Sequence, residues 1–332
     1  MQLIVGPPRK VHVSYDTVLE LESVIVADPR VTPAEMNGML KSAVDAGTRA
    51  LARAGIDAGS FLGVRRRSLT SDQPARDYFA VMIGLDPARA APWFVLPSRR
   101  SVYMFDAWPS SHVAIRKYVE SWGVQYAFVS SSQAATRLAS ISDSCTFVWV
   151  PEGIDPRLYH QRSWIEKDID VLQLGRRYDS HHELIAPALA KAGKTYLYEK
   201  RKGEIIFPAR EEFTEGLARS RISICFPSSV THPQRAGDIE TMTIRYLQSM
   251  VSKCVVLGRA PAEMVELFGY DPVVPADMGD PAGQIMEILE RYEEYLPLVE
   301  RNYSTVIRDH TWSRRWERMA TVLFKAPGQS SA

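Results

Sequence analysis

Short apolar runs alternate with helical stretches along most of this chain, and that alternation restricts the fold more than any other feature. In the second half the runs fall at 170–174, 194–198, 222–226, 254–257 and 272–275. All are of strand length. Helical patterns fill about 180–192, 211–220, 240–252 and 261–268, and a longer one opens at Asp280-Pro281 and reaches about Leu296. Strand, helix, strand in this rhythm predicts an α/β fold with a parallel sheet wrapped by helices.

The first half follows the same rule less cleanly. Strands are expected at 78–84, 93–96, 101–105, 125–130 and 146–150, with helices near 111–122 and 132–140. Residues 2–5 and 10–27 carry β-branched runs without a clear register. Thr32-Pro33-Ala34-Glu35 reads as a helix start, with a Thr cap, Pro at the first helical position and Glu closing a capping box. The stripe that follows, including Met36, Met39, Leu40, Ala43 and Val44, predicts a face packed into the core. Pro151-Glu152-Gly153-Ile154-Asp155 then breaks the pattern. With 332 residues, the chain suits two domains, each able to bury a core. The expected organisation is one α/β domain over 1–152 and a second over 153–310. A terminal helix over 311–325 is capped by Thr311 and carries Trp312, Trp316, Met319 and Leu323 on one face.

Composition excludes several classes. Net charge is +1, so no global field selects nucleic acid. Arg65, Arg66 and Arg67 form the only tight basic run, either a solvated loop or a contact for an anionic lipid or phosphorylated acceptor. Cys145, Cys225 and Cys254 are distant and odd in number, which predicts buried free thiols and a reducing cytoplasm. No signal peptide is read, and no apolar run approaches the roughly 20 residues of a membrane span. A cytoplasmic protein, at most peripheral to the inner face of a membrane, is expected. Only the last six or so residues look disordered. No metal site is expected: His181 and His182 are adjacent and point apart on a helix, and Asp168 and Asp170 precede their strand. Neither a Gly-x-Gly-x-x-Gly nor a phosphate-binding Gly-x4-Gly-Lys-Ser/Thr occurs, which disfavours redox cofactors and P-loop chemistry.

The densest candidate chemistry lies in residues 237–258. Glu240, Thr241 and Thr243 stand at a predicted helix start, and Gln248 two turns on. Simple capping is one reading. In the other, the free N–H groups and dipole meet a pyrophosphate, Glu240 bonds sugar hydroxyls, and Gln248 reaches a ribose. His232 and Arg235, in the loop 227–239, either cradle the same ligand or sit on an ordinary surface. In the first half, Asp106 follows a strand directly and His112 lies six residues on. They are candidates for acid–base work, or else a cap and a polar neighbour. Ser130 to Ser132 cap the next helix.

These residues resemble the group 1 family of glycosyltransferases, whose fold is GT-B; the resemblance implies two doubly wound, Rossmann-like domains facing each other across a cleft, with the terminal helix packing back toward the first. The family motif is Glu, seven residues, Glu, then a small-rich helix end and an apolar strand; here it reads Glu240, seven residues, Gln248, then 249–258. The segment 150–155 is similar to the family's interdomain linker, 168–177 to its first donor-domain strand and Gly-Arg turn, and 310–313 to its terminal segment. The ordered set covers about half the chain, and residues 1–100 show no match. The resemblance implies transfer of a hexose from a nucleoside diphosphate sugar to a carbohydrate, lipid-linked or small-molecule acceptor, with retention and without metal. It implies that Gly175, Arg176 and Arg177 meet the donor phosphates, a second cation coming from Lys200, Arg201, Lys202 or Arg245. Two rivals stand beside it: a nucleotide-sugar epimerase of the same architecture, and a non-catalytic carbohydrate- or nucleotide-binding protein. Oligomeric state is left open.

Overall fold

The computed structural model describes residues 1–5, 15–64, 76–175, 177–201 and 204–324. Two compact units emerge. One is built from the chain up to Pro151 together with residues from Trp316 onward; the other is Glu152–Arg315 with a short early segment around Asp16.

In the N-terminal unit, six strands form one sheet: β1 (Gln2–Ile4), β2 (Thr32–Pro33), β3 (Arg76–Ile83), β4 (Ser98–Phe105), β5 (Val124–Val129) and β6 (Thr146–Trp149). Their spatial order is β2-β1-β3-β4-β5-β6, and every pair is parallel. Phe79, Val81, Val102, Tyr103 and Ala127 are fully buried. Burial on both faces is what makes such strands read as continuous apolar runs. Arg100 is also completely buried. Its guanidinium donates to Phe94 O at 2.9 Å, Leu96 O at 2.8 Å and Trp122 O at 3.1 Å. One side chain thus satisfies the carbonyl ends of two helices, Pro87–Phe94 and His112–Trp122. Burial lowers its pKa to about 10, so it stays charged at neutral pH.

Two expectations fail in this unit. The apolar run 93–96 is no strand; it closes the helix Pro87–Phe94, which Asp86 caps by accepting the Arg89 N–H. Thr32-Pro33 does not start a helix either. It forms β2 beside β1, with Thr32 N donating to Met1 O and Ala34 N to Leu3 O. Pairing along the sheet edge outweighs the local capping signal. The helix begins only at Gly38, and its stripe faces outward: Met39 is 82% exposed and Leu40 51%.

The second unit carries β7 (Ile169–Gln173), β8 (Tyr196–Tyr198), β9 (Ser220–Cys225), β10 (Val255–Gly258) and β11 (Val274–Pro275). The order is β11-β10-β9-β7-β8, again parallel throughout. The chain runs from β7 to β8 on one side, then crosses back over β7 to β9 and continues to β10 and β11 on the other. This reversal makes the carboxyl ends of β7 and β9 a topological switch point, where ligands of doubly wound sheets collect. The helix expected to reach Leu296 stops at Glu290, and Leu296–Asp309 forms a separate helix. Below the sheet, buried Lys167 donates to Ala218 O, Ser220 O and Ser252 O, each at 2.9 Å. Asp168 and Asp170 pair with Arg219 and Arg221, which gives both acids a structural role.

The last helix, Trp312–Leu323, starts where Thr311 Oγ1 accepts the Arg314 N–H. Trp316 is buried, and its indole donates to Asp28 at 2.8 Å. All three cysteines are free and buried. Among the described residues no helix is long and apolar enough to cross a membrane. Arg65, Arg66, Arg67, Arg176, Lys202 and the chain end lie outside the described residues.

Candidate functional site

The switch point gathers several of the expected residues. At the end of β7, Leu174 O accepts from Arg245 Nη1 at 3.0 Å. Gly175 follows with φ +65, the left-handed region that glycine adopts at no steric cost. A Cβ at that position would stand 3.8 Å from Arg245 Nη1, so the guanidinium lies against the turn. The turn leads into the helix Asp179–Lys191, whose N-terminus has no side-chain cap. Arg177 pairs with Asp179 at 2.7 Å and donates to Glu199 O. Lys200 and Arg201 are exposed; their backbone N–H groups are both held by Glu204.

The motif helix runs from Ile244 to Val251, so Glu240 and Thr241 precede it in non-helical backbone. Thr243 occupies the cap position without a side-chain cap bond. Glu152 does that work: its Oε2 accepts the Ile244 N–H at 2.7 Å, and the residue is only 6% exposed. A pyrophosphate was expected at this helix end. A buried carboxylate already complements the dipole there, and a second anion would meet its charge. The cationic group at the switch point is the Arg245 guanidinium against the β7 turn.

Glu240 lies at the carboxyl end of β10. It pairs with Arg259, accepts from Ser229 Oγ at 3.1 Å, and accepts the Ala262 N–H at 3.3 Å. Arg259 is fixed by its own backbone: its N–H donates to Cys225 O at 3.1 Å, and its carbonyl accepts from Tyr246 Oη at 2.7 Å. Gly258 permits this approach, since a Cβ there would lie 2.0 Å from Cys225 O. Thr241, expected on the ligand, instead donates to Glu263 Oε1 at 2.9 Å; Glu263 also holds the Met242 N–H and is 4% exposed. Gln248, expected at a ribose, is turned inward. It is 4% exposed, and its Nε2 donates to Tyr159 Oη at 2.9 Å. His232 lies exposed between two single-turn helices, Ser228–Thr231 and Pro233–Ala236, and Arg235 lies exposed on the second.

In the N-terminal unit, the carboxyl end of β4 carries Asp106 at φ +53, a left-handed conformation that Asp tolerates better than most residues. His112 is buried and its Nε2 donates to Ala107 O at 3.1 Å, so the ring anchors the loop that presents Asp106. Burial lowers the His112 pKa, against the pull of that carbonyl. Ser131 caps the next helix through the Ala134 N–H.

No protein-family model matches the sequence, and no curated protein does. Solved structures match well. HepE of Anabaena, in complex with UDP-glucose, superposes with a TM-score of 0.55 at 10% identity, over 97% of this chain and 98% of that one. The fold is GT-B. Sucrose-phosphate synthase of Thermosynechococcus elongatus gives 0.51 at 13% identity, covering 90% and 81%. TarM of S. aureus, crystallised with fondaparinux, alpha-GlcNAc-glycerol and UDP, gives 0.51 at 10% over 74% of this chain, which spans 55% of TarM's length.

Within this GT-B frame, three residues at the switch point escaped the sequence reading: Glu152, Arg259 and Glu263. Glu152 was read as linker. Arg259 has a signal in the sequence, because it directly follows the apolar strand that ends at Gly258. Glu263 had one too, at the first turn of the helix opened by Pro261.

Proposed function

We propose that this chain is a glycosyltransferase resembling the group 1 family, moving a hexose from UDP-hexose to a carbohydrate, lipid-linked or small-molecule acceptor. The observation that carries the reading is the Arg245 guanidinium held against the Gly175 turn at the switch point, with Glu240 and Arg259 at the same sheet edge. UDP-glucose as donor and UDP as the product left after transfer, both bound by the fold relative HepE, fit that charge distribution.

The departing diphosphate gains negative charge as the sugar bond breaks. Arg245 and Arg177 stabilise it through charge-assisted hydrogen bonds, and fixed guanidiniums take the place of a metal. Glu240 accepts from sugar hydroxyls and orients the anomeric carbon. The acceptor is assigned to the N-terminal unit, where Asp106 stands at a strand end and orients the acceptor hydroxyl; as that oxygen bonds to the anomeric carbon, its proton passes to the departing diphosphate oxygen. Retention of configuration follows the family resemblance.

A thermal-shift series with UDP, UDP-glucose, GDP and ADP, run with and without EDTA, tests the reading. Ligand at about a hundredfold over its Kd adds roughly 2.7 kcal/mol of stability. UDP compounds should stabilise the protein most, equally with EDTA. Absence of stabilisation by every nucleotide overturns the proposal.

A further inference from the structure

The N-terminal unit has a second concave site, away from Asp106. Helix His112–Trp122 leaves the carboxyl end of β4 and delivers the chain to the amino end of β5, so its last turns lie toward the opposite edge of the sheet. There Lys117, Glu120 and Ser121 face the single-turn helix Ala58–Phe61 across an open depression of about 730 Å³. Its floor is rigid. Gly59 packs so closely that an added Cβ would stand 2.9 Å from both Ser121 Oγ and Trp122 Cδ1. Asp57 Oδ2 accepts the Ser60 N–H at 2.7 Å, and its Oδ1 accepts from Ser121 Oγ at 3.1 Å. Glu120 accepts from Ser142 Oγ at 3.3 Å. The rim is open. Phe61 is 66% exposed, and Lys117 has no hydrogen-bond or ion-pair partner among the described residues.

We propose that this depression is a carbohydrate-binding subsite for a segment of neutral saccharide chain. An exposed aromatic ring offers its negative face to the polarised C–H groups of a pyranose. Lys117, Glu120 and the serine hydroxyls around it supply both donors and acceptors, which is what a ring of hydroxyl groups requires. Volume falls within the range of small-molecule sites. Among the described residues the charges balance, Asp57 and Glu120 against Lys117 and Arg116, which lies 4.0 Å from Glu120, so none is left over to select a charged ligand. The site goes beyond the donor reading and does not depend on it. If transfer does occur, it holds a stretch of polymer remote from the reacting end.

Calorimetric titration of the full chain with maltohexaose, cellohexaose and chitohexaose, with and without UDP, tests this. At least one hexasaccharide binds with a Kd below about 1 mM, and UDP leaves that affinity unchanged. Phe61→Ala and Lys117→Ala each weaken it fivefold or more. Both side chains are exposed, so both variants keep the wild-type unfolding temperature. The proposal is overturned if no hexasaccharide binds, or if binding survives Phe61→Ala intact. A nucleotide shift lost while saccharide binding persists would sink the donor reading alone.

Discussion

Glu240→Ala separates recognition of the sugar from recognition of the nucleotide. The carboxylate is 26% exposed and receives Arg259, Ser229 and the Ala262 N–H. A hydrogen bond from a sugar hydroxyl to a charged group contributes about 1.5–3 kcal/mol. Binding a sugar must loosen part of the existing Arg259 pair, and a half-exposed pair of this kind contributes only about 0.2–1 kcal/mol. The net loss on truncation is therefore about 1–2 kcal/mol for UDP-glucose, or roughly five- to thirtyfold in Kd. UDP lacks the sugar, so its affinity should stay within about twofold. Isothermal titration of both ligands at one fixed salt concentration reads the difference. Arg245→Ala is the mirror image: it removes a cation at the diphosphate and should weaken both ligands by about tenfold or more. If Glu240→Ala weakens UDP and UDP-glucose equally, or leaves UDP-glucose untouched, the assignment of Glu240 to the sugar is wrong.

Three predictions concern the scaffold. Lys167→Met leaves the buried carbonyls of Ala218 and Ser252 without the ammonium, while Ser220 O keeps the Cys254 thiol at 3.2 Å; at about 1–3 kcal/mol each, urea unfolding should report a loss on the order of 2–6 kcal/mol, and a loss below about 1 would show that water replaces the ammonium. Gly258→Ala places a Cβ 2.0 Å from Cys225 O at φ +144, and should lower Tm by more than about 5 °C, whereas an unchanged Tm would refute the steric argument. His181 and His310 are 0% and 2% exposed, and burial lowers each pKa from 6.5 to about 4. The unfolded chain therefore binds protons first on acidification. The stabilisation is complete above pH about 6.5 and falls away toward pH 4, by on the order of 2–3 kcal/mol for each ring. His181→Leu should remove about half of that slope in urea melts between pH 7 and 4.5, and an identical slope would exclude His181 as a source.

The central strands were legible because burial on both faces leaves largely apolar runs, as in Val124–Val129, while the short β1 and β2 offered no such run. The same logic failed at 93–96, where Trp93 and Phe94 end a helix and the chain turns at Val95. An apolar run of four carries no period, and the cue that decides it, Asp86-Pro87, lies several residues upstream. Thr32 failed for a different reason: its local capping pattern was sound, and backbone pairing with the strand at Gln2 overrode it. The site was half legible. Gly175 announced itself by following an apolar strand, and Arg245 by its place on the motif helix. Glu152 did not, since its bond to Ile244 spans 92 residues. Gln248 shows how spacing misleads: two turns along a helix from a site can equally mean its inner face, and Tyr159 was the partner that chose it.

The two ends of the Glu152–Arg315 segment meet. Ile154 N donates to His310 O at 3.2 Å, Trp312 N donates to Ile154 O at 3.0 Å, and Arg315 Nε reaches Glu152 O. That closure makes the segment a cassette. A chain whose first and last residues are already stitched together can be rejoined there and reopened elsewhere with little change in loop entropy. The turn at Gly193, where an added Cβ would touch nothing within 4 Å, is a natural place for the new ends. Evolution has the same freedom: one surface loop in a host protein suffices to receive the whole sheet, with the Arg245 turn and the Glu240 edge carried intact inside it.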